Sequence, residues 1–85
     1  MLEKLIEVKK MNAYVLLSLV DASEREILNE FLDMPEVEDA HILFGEWDLI
    51  LKIKGENPDA IATFVMDKVR KRDGVELTST LIVAK

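Results

Sequence analysis

Apolar residues follow two rhythms along this 85-residue chain. From Asn12 to Val20 the run N-A-Y-V-L-L-S-L-V is short, rich in β-branched and aromatic side chains and bounded by Asn12 and Asp21, which predicts a strand. The rhythm then changes. Ser23 stands three residues before Glu26, the spacing of a capping box, and Ile27, Leu28, Phe31 and Leu32 recur at helical intervals. A first helix therefore starts here and stops near Pro35, whose ring pushes Met34 into extended backbone. Val37 to Phe44 reads as a second strand and Trp47 to Ile53 as a third. Gly45 and Glu46 between them predict a two-residue hairpin in which glycine takes a positive φ. Asn57 followed by Pro58 marks a second helix start, since asparagine caps free amides and proline loses nothing at the first helical position. That helix turns Ile61, Phe64, Val65 and Val69 inward. Its last turn gathers Lys68, Arg70, Lys71 and Arg72 before Gly74, placing positive charge at the negative end of the helix dipole. Val75 to Ala84, V-E-L-T-S-T-L-I-V-A, closes the chain as a fourth strand.

The order strand, helix, strand, strand, helix, strand predicts an α+β domain of the ferredoxin-like βαββαβ plan, a four-stranded antiparallel sheet with both helices on one face. Its boundaries are residues 12–85. Residues 1–11 form an N-terminal extension, read as a short helix on Leu2, Leu5 and Ile6. An antiparallel sheet covered on one face alternates apolar and polar side chains when its other face meets water. These strands do not. Ala13, Val15, Leu17 and Leu19 share one face of the first strand, yet Tyr14, Leu16 and Val20, with Ser18, occupy the other. In the second strand Ala40, Ile42 and Phe44 oppose His41 and Leu43; in the third, Trp47, Leu49, Leu51 and Ile53 oppose Asp48, Ile50, Lys52 and Lys54. A lone copy would expose a larger apolar patch than soluble monomers carry, so the pattern predicts a homodimer or larger homo-oligomer of the dimeric α+β barrel type.

Composition sharpens this picture in three ways. A chain this short buries only roughly two-thirds of its unfolded surface, which again favours self-association. The net charge of −6 argues against direct nucleic-acid binding, because affinity for phosphate backbones comes from Lys and Arg. Cysteine is absent, which excludes disulfides, thiolate zinc sites and a cysteine nucleophile. No stretch approaches the roughly 20 apolar residues that a bilayer requires, and the first ten residues lack a signal-peptide core, so the expected location is the cytoplasm, away from membranes.

Candidate chemistry is sparse. His41 is the single histidine and the only side chain suited to act as a base near neutral pH, with Asp39 two residues away on the same strand face. No HxH, HExxH or EF-hand spacing occurs, so neither a metal site nor any cofactor is expected, and Gly45 belongs to no phosphate-cradling loop. On the second and third strands only Phe44 and Trp47 offer aromatic faces for RNA. Two polar groupings remain. Gly45-Glu46-Trp47-Asp48 spans the hairpin, and Asp48 is an acid where a strand begins, an unfavourable place for aspartate. Its carboxylate either accepts amides of the tight turn or binds a cationic ammonium beside turn amides that meet a carboxylate. Thr78 and Thr80 project to one face of the last strand, either as ordinary strand formers or as hydroxyl donors to a small polar ligand.

The runs LFGEWDLILKI and GVELTSTLIV resemble the C-terminal ligand-binding domain of the Lrp/AsnC family of transcriptional regulators. The likeness extends roughly from Asn12 to Lys85. The family's glycine, two residues, aspartate signature is matched by Gly45 and Asp48, with aromatic Trp47 before the acid, and its threonine, one residue, threonine pattern by Thr78 and Thr80. The resemblance implies a domain that dimerises through its sheet, assembles into higher-order bodies and binds a free amino acid near the interface between dimers. Gly45 and Asp48 would line that pocket, Thr78 and Thr80 would supply hydroxyls, and Glu46 and Trp47 would flank it. Relatives carry a helix-turn-helix domain first, whereas about ten residues before Asn12 hold no such unit. The expectation is a stand-alone, non-enzymatic amino-acid sensor that modulates transcription through a full-length Lrp/AsnC regulator. Two competing readings stand beside it: a small dimeric α+β-barrel oxygenase or isomerase using His41 and Trp47, and an oligomerisation module without a ligand.

Overall fold

The computed structural model describes residues 10–85. The extension expected over residues 1–11 falls outside them except for Lys10 and Met11, and Met11 already pairs with Gly55 as the first residue of the sheet. The elements are β1 (Met11–Leu19), α1 (Glu24–Leu32), β2 (Val37–Ile42), β3 (Leu49–Gly55), α2 (Pro58–Phe64), a widened helical turn (Val65–Val69) and β4 (Val75–Ile82). All strand pairs are antiparallel, in the order β2-β3-β1-β4. This is the expected ferredoxin-like α+β plan.

Both helix starts arise from the capping residues read in the sequence. Ser23 accepts the Glu26 amide at 3.3 Å, and the Asn57 side-chain oxygen accepts the Ala60 amide at 2.8 Å. Beyond Phe64 the second helix does not end but widens, with Arg70 donating its amide to the Val65 carbonyl, five residues back, at 2.8 Å. The basic run then departs from its expected role. Lys71 and Arg72 lie past the helix, and Arg72 donates two guanidinium hydrogen bonds to the Glu30 carboxylate on α1, tying the segment before β4 to the first helix. Those bonds hold Glu30 below its ordinary carboxylate value.

Pairing register separates the two faces of the sheet. Ala13, Val15 and Leu17 stand beside Ile53, Leu51 and Leu49, and all six are fully buried beneath Ile27 and Phe31 of α1 and Ile61 and Phe64 of α2. Directly opposite residues share a face, so Thr80 beside Val15 and Thr78 beside Leu17 also lie on the helical side. The other face carries Tyr14, Leu16, Ile50, Leu77 and Leu81, and among the described residues no element covers it. Leu77 and Leu81 are 60% and 55% exposed.

One expected element is corrected. Gly45-Glu46 is not a two-residue hairpin: β2 ends at Ile42, β3 begins at Leu49, and six residues connect them. Leu43 donates its amide to the Asp48 carbonyl at 2.9 Å, closing a wider loop, while Gly45 does take a positive φ of 136°. The cause lies in β1. Asp48 donates its amide to the Leu17 carbonyl at 2.8 Å and accepts the Leu19 amide through Oδ2 at 2.7 Å, so this residue is committed to the central strand instead of to a tight turn. Phe44, expected at the end of the second strand on the face of Ala40 and Ile42, lies outside the strand and stands fully exposed.

Candidate functional site

Asp48 owes its place to a backbone vacancy. The β1–β3 ladder stops at Leu17 and Leu49, two residues before β1 itself ends, which leaves the Leu19 amide without a ladder acceptor. The Asp48 carboxylate fills that role from 29 residues away in sequence. Its hydrogen bond is therefore long-range, not the local turn contact that the sequence suggested. A carboxylate accepts through two oxygens, and the bond to Leu19 is made through Oδ2. Gly45, Glu46 and Trp47 fill the loop beside it: Gly45 and Glu46 are exposed and Trp47 is half-buried. A β-carbon on Gly45 would meet nothing within 4 Å, so this backbone is open to an approaching group.

The threonines occupy a different wall. A cavity of about 270 Å³ lies between β4 and the second helical segment, bounded by Thr78, Thr80 and Ile82 on the strand and by Ile61, Val65, Met66 and Arg70 on the helix. Its floor is apolar, its hydroxyls come from β4, and its positive charge comes from Arg70. Sequence reasoning had assigned Arg70 to the helix dipole. The signal for its second role was the stripe Ala62, Met66, Arg70 at helical spacing, polar only at its end.

Within one chain the two groupings are neighbours along the sheet but do not share a chamber. Leu17 pairs with Leu49 on one side and with Thr78 on the other, so the loop and the threonine pair are two strands apart, roughly 10 Å between backbones. Asp48 points along the sheet toward β1, whereas Thr78 and Thr80 face the helices.

His41 lies on the open face of the edge strand β2, exposed, with Nε2 3.1 Å from Asp39 Oδ2. Asp39 also accepts the Ala40 amide at 2.9 Å, and these two bonds, the backbone one first, hold its carboxylate below the ordinary aspartate value. Asp39 thus has a backbone partner of its own. Among the described residues no group of three or more His, Cys, Asp or Glu side chains is placed to hold a metal ion. No described helix is long and apolar enough to cross a membrane.

The described residues thus form a ferredoxin-like α+β domain with an apolar sheet face that none of them covers and a small polar-rimmed cavity under the last strand. The family model of the Lrp/AsnC ligand binding domain matches residues 12–85, and the chain belongs to this family. It is 37% identical over 60 residues to an uncharacterized HTH-type transcriptional regulator of Pyrococcus horikoshii, a stretch amounting to 71% of this chain and 40% of that protein. The chain spans less than half the length of the curated relatives it matches. Among solved structures, FFRP-DM1 superposes with a TM-score of 0.81 at 34% identity, covering 86% of this chain and 97% of that one. The transcriptional regulator NMB0573 of Neisseria meningitidis, solved in complex with L-Met, gives a TM-score of 0.82 at 25% identity over 98% of this chain and 55% of its own.

Proposed function

We propose that the domain of residues 12–85, preceded by an extension of residues 1–11, is a non-enzymatic amino-acid sensor acting in the cytoplasm. Copies join through the apolar sheet face into homodimers and then into larger bodies. The uncovered face formed by Tyr14, Leu16, Ile50, Leu77 and Leu81 carries this reading, because so small a domain does not leave such a patch in water without a partner. Assembly brings the loop of one copy toward the β4 cavity of another, supplying in two pieces what one chain keeps apart. Asp48 Oδ1 then receives the ammonium of a free amino acid. The Gly45 backbone and Arg70 meet its carboxylate, Thr78 and Thr80 supply hydroxyls, and Glu46 and Trp47 border the side chain. The L-Met complex of the Neisseria relative supports the ligand class. With a net charge of −6 the domain makes no direct contact with DNA and acts on transcription by co-assembling with a full-length Lrp/AsnC regulator.

Calorimetric titration with each common amino acid up to millimolar concentration, alongside light scattering, tests the reading. Heat of binding for at least one amino acid and a particle larger than one 9.7 kDa chain are expected. A monodisperse single chain with no heat for any of them would overturn it.

A further inference from the structure

The two faces of β4 carry the reverse of the pattern expected of a strand packed beneath helices. Leu77 and Leu81 point to the open face, while Thr78 and Thr80 turn toward the helical side. A strand covered on one face puts its apolar residues on the covered side. The helices account for the difference, since α1 packs on β2, α2 packs on β3 and neither packs closely on β4. The space left between β4 and the second helical segment is the cavity of about 270 Å³ rimmed by Thr78, Thr80 and Arg70.

The polar groups of this cavity have no partners within the chain. Among the described residues no side-chain hydrogen bond involves Thr78, Thr80 or Arg70, and Arg70 forms no ion pair. Arg72, in the same basic run, differs, because Glu30 holds its guanidinium. Among the described residues the cavity also has no Asp or Glu in its walls, although the chain as a whole is acidic. Glu76 shares a neighbouring recess of about 360 Å³ with Arg70 and Thr78 without pairing with the guanidinium. Ile61 and Val65 give the cavity a buried apolar floor, and the more exposed Met66 and Ile82 stand at its rim.

We propose that within one chain this cavity is a site for an α-keto acid with a short apolar side chain, the deaminated counterpart of an aliphatic amino acid. The inference rests on the reading that Arg70 meets a ligand's carboxylate, and it needs no loop from a second copy. Arg70 offers the planar donor pair that matches a carboxylate. The keto oxygen beside that carboxylate accepts from the threonine hydroxyls. The side chain lies over Ile61 and Val65. An ammonium on the same carbon would stand beside the Arg70 charge with no acid in the cavity walls to balance it. A free amino acid therefore calls on Asp48 of another copy, whereas the keto acid does not. At about 270 Å³ the cavity lies just below the roughly 300–1,000 Å³ of drug-sized sites, which fits one small molecule of this class.

Calorimetric titration of the parent protein with three probes tests the site: α-ketoisocaproate, whose tail is that of leucine, isocaproate, which lacks the keto oxygen, and isocaproamide, which lacks the charge. α-Ketoisocaproate is expected to bind tightest, and isocaproamide more weakly by about tenfold or more, the loss of a charge-assisted hydrogen bond. Arg70 is exposed, so Arg70→Met should stay folded by circular dichroism. It should weaken α-ketoisocaproate by about tenfold or more. Thr80→Val keeps a good strand former without the hydroxyl and should weaken α-ketoisocaproate more than isocaproate. No heat from α-ketoisocaproate, equal binding of isocaproamide, or binding undiminished by Arg70→Met would each overturn the site. An equal effect of Thr80→Val on both acids would overturn the keto assignment. Heat from α-ketoisocaproate with none from any amino acid would overturn the sensor reading and leave this site standing, and heat from amino acids alone would do the reverse.

Discussion

Asp48 is assigned a structural bond and a ligand contact, and two substitutions separate them. Asp48→Ala leaves the Leu19 amide without the oxygen that now accepts it at 2.7 Å. A hydrogen bond to a charged group contributes about 1.5–3 kcal/mol, and water reaching this half-buried position recovers part of it, so the loss is about 1–2 kcal/mol. For a domain of this size each kcal/mol lowers Tm by about 4–8 °C. Asp48→Asn keeps an acceptor oxygen for the Leu19 amide but no negative charge for an ammonium. Neutral hydrogen bonds are roughly half as strong as charged ones, so this variant should lose less than about 1 kcal/mol. Urea unfolding at one fixed protomer concentration measures the stability, since an oligomer's midpoint moves with concentration. Calorimetric titration of the same preparations measures amino-acid binding, which both substitutions should weaken. Equal stability of Asp48→Ala and the parent would refute the bond to Leu19 as a contributor to the fold. Undiminished binding by Asp48→Asn would remove the carboxylate from the ligand site.

Two further outcomes follow from the geometry. Gly74→Ala should destabilise strongly, because Gly74 has a φ of 94° and a β-carbon there would lie 2.6 Å from the Ala22 β-carbon, whereas Gly45→Ala meets open space and suffers only the strain of its φ; comparable urea midpoints for the two would refute this. Glu30 is held below its ordinary value of 4.5 by hydrogen bonds from Arg72, so its contribution is present above that value and is lost as pH falls through the lowered one. The stability difference between the parent and Glu30→Gln should therefore be visible in urea midpoints at about pH 6 and shrink toward about pH 3, and a difference independent of pH would refute the link.

Where local chemistry decides the backbone, the sequence was legible. Ser23 and Asn57 cap the helices that they were expected to cap, and the alternation in β1 grouped Ala13, Val15 and Leu17 on one face, which the structure shows to be the buried one. The fold class follows from such local signals taken in order. The loop between β2 and β3 was misread because its geometry is set elsewhere: turn rules describe Gly45 and Glu46 alone, while the connection answers to the Leu17 carbonyl and the Leu19 amide on β1. Arg72 was misplaced for the same reason, its partner Glu30 being 42 residues away. Arg70 escaped notice because one basic run suggested one role for all its members. In the cavity its neighbours are Thr78 and Thr80, which share a wall with it only through the crossing of helix and strand.

The same distinction bears on the candidate site. Gly45 and Asp48 were picked out with Thr78 and Thr80 by a pattern of residue types, and a pattern is silent about which chain each member belongs to. Register supplies that information. Leu49, Leu17 and Thr78 form one row across β3, β1 and β4, so within a single copy the central strand always stands between the loop and the threonines. No rotation of Asp48 removes β1 from between them, because the Leu17 carbonyl and the Leu19 amide hold Asp48 to that strand. A ligand that touches both groupings at hydrogen-bonding distance therefore needs two chains. On the proposed reading sensing and assembly are one property: an amino acid that binds between copies would draw them together in proportion to its preference for the assembled state.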